Sequence, residues 1–196
     1  MAPLVLLLGP MASGKTSLCT LLFQTMADRS MNPYAIIQEN RRSPQGYPVE
    51  LSLVELPGGE KRFLGVREGF SGTGPFDDTA GTALKPFAFD HSAFAWASAK
   101  LEQALAEGRG ILILDEIGPL ELQKGEGLMP ALEKAARAET LTLVLSLRPN
   151  LEKQLLRCLP NLVSRRLLRI YLGQHRDENE LFFTVSDIIR HCQDTK

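Results

Sequence analysis

The chain has 196 residues, 44% of them hydrophobic, which suits one domain with a sizeable core and excludes wholesale disorder. Its 22 Lys and Arg against 23 Asp and Glu leave a formal charge of −1, so no net charge draws it to nucleic acid or an anionic membrane. The three cysteines, Cys19, Cys158 and Cys192, form no CxxC pair or Cys/His cluster, which argues against a disulfide framework or zinc site and fits a reducing, cytoplasmic setting.

Residues 4–8 (LVLLL) are apolar throughout, as in a central parallel strand covered on both faces. The run lacks the basic flank and cleavage site of a secretory signal. No later stretch reaches the roughly 18 apolar residues of a membrane span, so a soluble protein without membrane contacts is expected. A helix over about 15–26 follows, turning Leu18, Leu21 and Leu22 toward the sheet, and then a strand over 34–37. Residues 49–66 read as an antiparallel hairpin around PGGE, and 70–82 (FSGTGPFDDTAGT) as a polar, glycine-rich loop. Together they look like an insertion, about 42–82, within one domain spanning 1–196.

Asp90 suits the N-cap of a helix through Glu107, ended by Gly108, with Phe94, Ala97, Leu101 and Leu105 along one face. Next comes ILILDEIG (111–118), the most strand-like run of the chain. A helix over 127–138, the strand LTLVLSL (141–147), a short helix near 151–158, a strand over 167–172 and a helix from 177 to 191 complete the order. This alternation predicts an α/β fold, a mostly parallel sheet flanked by helices.

The strongest chemical signal is Gly9-Pro10-Met11-Ala12-Ser13-Gly14-Lys15-Thr16, a complete G-x-x-x-x-G-K-[ST] between a predicted strand and a predicted helix. The spacing lets a loop wrap phosphates with inward-facing N–H groups while the next helix presents its positive end. These residues and the adjoining Ser17 are the expected nucleotide-binding set. Lys15 would reach the β- and γ-phosphate oxygens and Thr16 would ligate Mg²⁺.

Asp115 and Glu116 end the ILILD strand, where open α/β sheets place their ligands. Asp115 would hold Mg²⁺, and Glu116, pointing the other way in an extended segment, could polarise the attacking water. A carboxylate directly after the metal-linked Asp accompanies P-loop sheets of RecA-like order, with an extra strand between the phosphate-loop strand and the acidic one. LTLVLSL is the candidate for it. Its end would bring Ser146 to the attacking water and Arg148 to transition-state charge, or it is only a strand edge before a turn. Arg157, Arg165 and Arg166 read as a cationic lid or, more simply, as solvated surface.

With the phosphate loop and Asp115-Glu116-Ile117-Gly118-Pro119-Leu120-Glu121-Leu122 together, the sequence resembles the THEP-type (cancer-related) nucleoside triphosphatases of the P-loop class. Gln38-Glu39-Asn40-Arg41 is similar to the family's T-x-E-V-R-like segment. His175-Arg176-Asp177-Glu178 is similar to its N-R-D-E-L-like segment, where Arg176 would line the base. The insertion is longer and richer in glycine than the family pattern, and Ser146-Leu147-Arg148 replaces its threonine-histidine pair. The resemblance implies slow, Mg²⁺-dependent hydrolysis of ATP, GTP and other nucleoside triphosphates. Two other classes stand beside it: a nucleotide-dependent switch with an unidentified protein partner, and a nucleotide or small-molecule kinase, which would need an acceptor pocket.

Overall fold

In the computed structural model, which describes residues 1–44, 46–68, 87–173 and 178–193, the elements alternate as the apolar runs require. The strands are β1 (Pro3–Leu8), β2 (Pro33–Arg42), β3 (Pro48–Leu56), β4 (Lys61–Arg67), β5 (Phe87–Phe89), β6 (Ile111–Ile117), β7 (Thr142–Leu147) and β8 (Arg166–Tyr171). The helices are α1 (Lys15–Asp28), α2 (His91–Ala106), α3 (Pro119–Lys124), α4 (Met129–Arg137), α5 (Glu152–Cys158) and α6 (Glu178–Gln193). The strands form one sheet in the order β5-β4-β3-β2-β6-β7-β1-β8. Pairings from β2 to β8 are parallel, and those joining β2, β3, β4 and β5 are antiparallel.

All six residues of β1 are buried, because helices cover both faces of the sheet. Leu4, Leu6 and Leu8 join the core under α2 and α4, where Ala97, Leu101, Ala131 and Leu132 also pack. Val5 and Leu7 point the opposite way, into a second core with Leu18 and Leu22 of α1 and Ile188 and Ile189 of α6. The period of 2 along β1 therefore supplies both layers. Asp90 caps α2 as its spacing predicts, its side chain accepting from the N–H of Ser92 at 2.8 Å.

The strand LTLVLSL lies between LVLLL and ILILD, as the adjacent Asp-Glu pair implies. β2 runs five residues past the expected Ile37, because antiparallel β3 pairs its second half where no parallel neighbour continues. The hairpin thus extends the sheet edge, and Trp96 of α2 reaches it with an indole N–H to Glu60 at 3.1 Å. The 70–82 loop lies outside the described residues, as does its junction with β5. Among the described residues no helix is long and apolar enough to cross a membrane.

Arg165 is neither lid nor surface. It is buried, and its guanidinium donates to the carbonyls of Ala135 (3.2 Å), Ala136 (3.1 Å), Ala138 (2.7 Å) and Leu141, closing the C-terminal end of α4. The carbonyls that end a helix lack i+4 donors; besides Arg165, those of Ala135 and Ala138 accept from the N–H groups of Ala138 and Leu141, and a cation there also complements the helix dipole. Arg166 binds the carbonyl of His191 on α6, and Arg157 is exposed. Arg165→Met should therefore destabilise the fold by about 2–4 kcal/mol, since buried acceptors lose a charged donor. A thermal melt would read this as roughly 2–4 °C for each kcal/mol. An unchanged melting temperature would show that the carbonyls find water instead.

Candidate functional site

The phosphate loop leaves β1 at Gly9 and enters α1 at Lys15. A Cβ at Gly9 would fall 2.3 Å from Ser13 Oγ and 3.0 Å from the Leu172 carbonyl, so only glycine lets the loop fold back there. Gly14 has φ +86, the left-handed conformation that a side chain resists. No side chain caps α1 and no acidic residue occupies its first turn, which leaves the positive end of the helix for an anion. Ser13 Oγ is buried in this loop without a hydrogen-bond partner, a donor suited to a phosphate oxygen.

Lys15 is only 2% exposed, yet all three of its ammonium protons have acceptors. Nζ lies 3.2 Å from the Gly9 carbonyl, 3.0 Å from that of Pro10 and 3.3 Å from Glu116 Oε1. The phosphate loop thus folds around its own lysine, and the acidic strand closes the ring. Thr16 is half-buried; Met11, Ala12 and Ser17 are exposed around it.

The acidic pair is arranged differently from an extended strand. Leu114 pairs with Leu145 and Ile117 with Leu147, so Asp115 and Glu116 together oppose Ser146 in a β-bulge. Glu116 has φ +60, a conformation costing on the order of 1–3 kcal/mol for a residue with a side chain. The expected strict alternation of the two carboxylates is lost, because the bulge turns the strand between them. Both now border the phosphate loop: Glu116 at Lys15, Asp115 at Thr16 and Cys19.

Ser146, expected beside the attacking water, is instead fully buried and joins the two acidic residues. Its hydroxyl donates to Asp115 Oδ1 at 2.5 Å and accepts from the Glu116 N–H at 2.9 Å. It acts through its neighbours, as a positioning residue. Asp115 Oδ2 also accepts from the Gln38 N–H at 3.4 Å. Burial pushes the Asp115 carboxyl up to about 6, although the hydroxyls of Ser146 and Thr16 and the Gln38 N–H favour its ionised form. Burial likewise raises the Cys19 thiol well above its usual range, which keeps it protonated against Asp115.

Arg148 is exposed at the end of β7 and lines a cavity of about 530 Å³. Asp115 and Glu116 border the same cavity, which continues past Gln38 and Asn40 toward Phe87, Phe89 and Phe94. Arg176 lies outside the described residues. Sequence reasoning missed the role of Glu121, the last acid of the DEIGPLEL run. It is buried, accepting from the Gly118 N–H at 3.0 Å and the Leu128 N–H at 3.3 Å, so it caps the short helix α3. The signal was present: Pro119 at the first helical position and Glu two residues later, reaching back to the cap.

Thr16 and Asp115 offer a hydroxyl and a carboxylate side by side, hard oxygen donors of the kind Mg²⁺ takes one or two of beside substrate phosphates. Among the described residues no group of three His, Cys, Asp or Glu could hold a metal alone. A metal here fits only as a companion of bound phosphate. Ser146→Ala would leave the Glu116 N–H and Asp115 without their shared partner, and should destabilise the protein by about 1–3 kcal/mol. Denaturant unfolding measures this directly, and a midpoint equal to that of the unsubstituted protein would deny the bridge any weight.

The chain covers all of the solution structure of a human cancer-related nucleoside triphosphatase, and is covered by it in full, at a TM-score of 0.69 and 16% identity. It is also similar to the crystal structure of THEP1 from the hyperthermophile Aquifex aeolicus, with a TM-score of 0.66, 15% identity and coverage of 98% of this chain and 99% of that one. No curated protein matches the sequence. These likenesses establish the P-loop fold, and the family model described as NTPase matches residues 4–181. With its phosphate loop, acidic bulge and matching sheet, the chain belongs to the NTPase family and is a nucleoside triphosphatase.

Proposed function

We propose that the enzyme hydrolyses ATP, GTP and other nucleoside triphosphates to the diphosphate and phosphate, slowly, with Mg²⁺ and with loose base selectivity. The observation that carries this reading is the contact between Glu116 and Lys15, 3.3 Å apart. It sets a carboxylate beside the ammonium that P-loop geometry assigns to the terminal phosphates. The three acceptors of Lys15 are the natural ones for incoming phosphate oxygens to replace.

Glu116, released from Lys15 by that exchange, takes a proton from water as the water oxygen attacks the γ-phosphorus. The bond from the γ-phosphorus to the bridging oxygen breaks, and the diphosphate leaves. Lys15 and the N–H groups of the loop hold the charge that moves onto the phosphate oxygens. Thr16 and Asp115 would hold Mg²⁺, which when bound supplies further neutralisation of that charge. Arg148, exposed and lining the cavity, is a candidate for a second cation. Broad base use and slow turnover follow from the family resemblance, with Arg176 as a weak base contact. Residues 1–196 then act as one nucleotide-binding domain, in a cytoplasmic setting.

Two substitutions separate binding from chemistry. Lys15→Ala removes a charge-assisted contact worth roughly 1.5–3 kcal/mol, so triphosphate affinity should fall roughly 10- to 100-fold in a folded protein. Unaltered affinity by titration calorimetry would reject the phosphate-loop assignment. Glu116→Gln keeps the shape but not the basicity, so turnover should drop by about 10²–10⁴ while triphosphate affinity holds or rises. Asp115→Asn is the control, weakening nucleotide binding and Mg²⁺ dependence together. A Glu116→Gln enzyme releasing phosphate at the original rate would place the base elsewhere. A panel of nucleoside triphosphates, scored for diphosphate and phosphate with and without Mg²⁺, tests the activity itself. Discrimination between ATP and GTP of ~100-fold or more in kcat/KM, ~2.7 kcal/mol in transition-state binding, would contradict loose selectivity.

A further inference from the structure

The cavity that begins at Asp115 and Glu116 is far larger than hydrolysis requires. One attacking water fills about 30 Å³ of liquid volume, whereas this space is about 530 Å³, within the range of small-molecule sites. Its walls come from β2, β3, β4, β5, the start of α2 and the segment after β6. In the sheet order those strands lie beyond β6, on the side away from β1 and β8. Glu116 both lines the cavity and contacts Lys15, so a triphosphate held by Lys15 would set its terminal phosphate beside the cavity wall.

The chemistry of the walls changes along its length. Following the strand order, Glu116 and Arg148 stand at the phosphate end, the amides of Gln38 and Asn40 come next, and Leu51, Leu53 and three phenylalanines form the far end, with the buried Arg67 guanidinium 4.5 Å from the Phe87 ring. Phe89 lies 6.2 Å from Phe87 and 5.8 Å from Phe94 between ring centroids, a wall of packed rings. Water gains little from such a surface, and a flat apolar body gains much.

We propose that this chamber binds a second substrate, a small ring-bearing alcohol, and that the enzyme transfers the γ-phosphoryl group to it. The inference rests on the reading of the phosphate loop and Glu116 given above. The ring lies against Phe87, Phe89 and Phe94, and the hydroxyl reaches Glu116. The hydroxyl oxygen attacks the γ-phosphorus, its proton passes to the Glu116 carboxylate, and the bond to the β,γ-bridging oxygen breaks. The products are a phosphate monoester and the nucleoside diphosphate. A bound alcohol displaces the water that Glu116 would otherwise activate, so phosphate release is the reaction of the enzyme without its acceptor.

The test uses 2-naphthalenemethanol as the probe, one molecule carrying both a fused ring and a primary hydroxyl. Saturation-transfer NMR measures its binding to the full chain loaded with Mg²⁺ and a non-hydrolysable ATP analogue. Labelled ATP then follows the phosphoryl group. The probe should bind without displacing nucleotide, yield naphthylmethyl phosphate in step with ADP, and lower phosphate release as its concentration rises. Phe89→Ala, at a partly exposed edge position, should raise the probe Kd about 3–10-fold. Leu51→Trp, which fills the chamber, should abolish both binding and transfer, and circular dichroism checks its fold.

Four results would each overturn the proposal: no binding, binding that competes with ATP, binding unaltered in both variants, or slowed phosphate release without a phosphorylated product. Phosphate release without probe scores the hydrolysis reading separately. An enzyme inactive on water but binding probe and ATP together would remove that reading and leave the chamber intact.

Discussion

A lysine ammonium can be 98% withdrawn from water only if its charge and its protons are matched, and Lys15 meets that condition by three acceptors at once. Two are carbonyls of its own loop and one is the carboxylate of Glu116. The loop carbonyls come from Gly9 and Pro10, so the chain must turn back on itself immediately after β1. That turn needs Gly9 without a side chain and Gly14 in the left-handed region. The third acceptor must come from another strand, which ties the phosphate loop to β6 across the sheet.

That tie spans β7, which lies between β1 and β6, and it is Ser146 on β7 that contacts both acids. At a regular strand end the two acids would point to opposite faces of the sheet, so they would not both border the loop. A bulge opposite Ser146 turns Glu116 to φ +60, and the serine hydroxyl takes up the N–H that the bulge removes from the ladder. The same hydroxyl holds Asp115, whose carboxyl burial would otherwise push still further from ionisation. One small side chain on the inserted strand thus orients both acids. A threonine there would add a methyl at a position with no exposed surface.

Most of the scaffold was legible in the sequence because its strands are short apolar runs and its helices carry caps, as LVLLL and the Asp90 cap illustrate. The phosphate loop was equally legible, since its chemistry lies in contiguous residues. The bulge was not, because alternation is the default of a strand and nothing in ILILDEIG marks a non-glycine residue as left-handed. Ser146 was found as a residue near the acids but read as facing water; its burial depends on register with β6, which only pairing fixes. Arg165 escaped for a related reason, since its four carbonyl partners come together only when α4 ends beside β7. The chamber is assembled from β2–β5, α2 and α3, too many distant pieces for any local pattern to announce.

The most direct test of this arrangement is a crystal structure with Mg²⁺ and a non-hydrolysable nucleoside triphosphate. The account predicts that Lys15 Nζ leaves Gly9, Pro10 and Glu116 for the terminal phosphate oxygens, that Thr16 and Asp115 border the metal, and that Glu116 keeps its positive φ with its carboxylate at the γ-phosphate. A triphosphate bound with Lys15 still on its loop carbonyls, or a Glu116 that relaxes into extended strand and swings away from the phosphate, would contradict it.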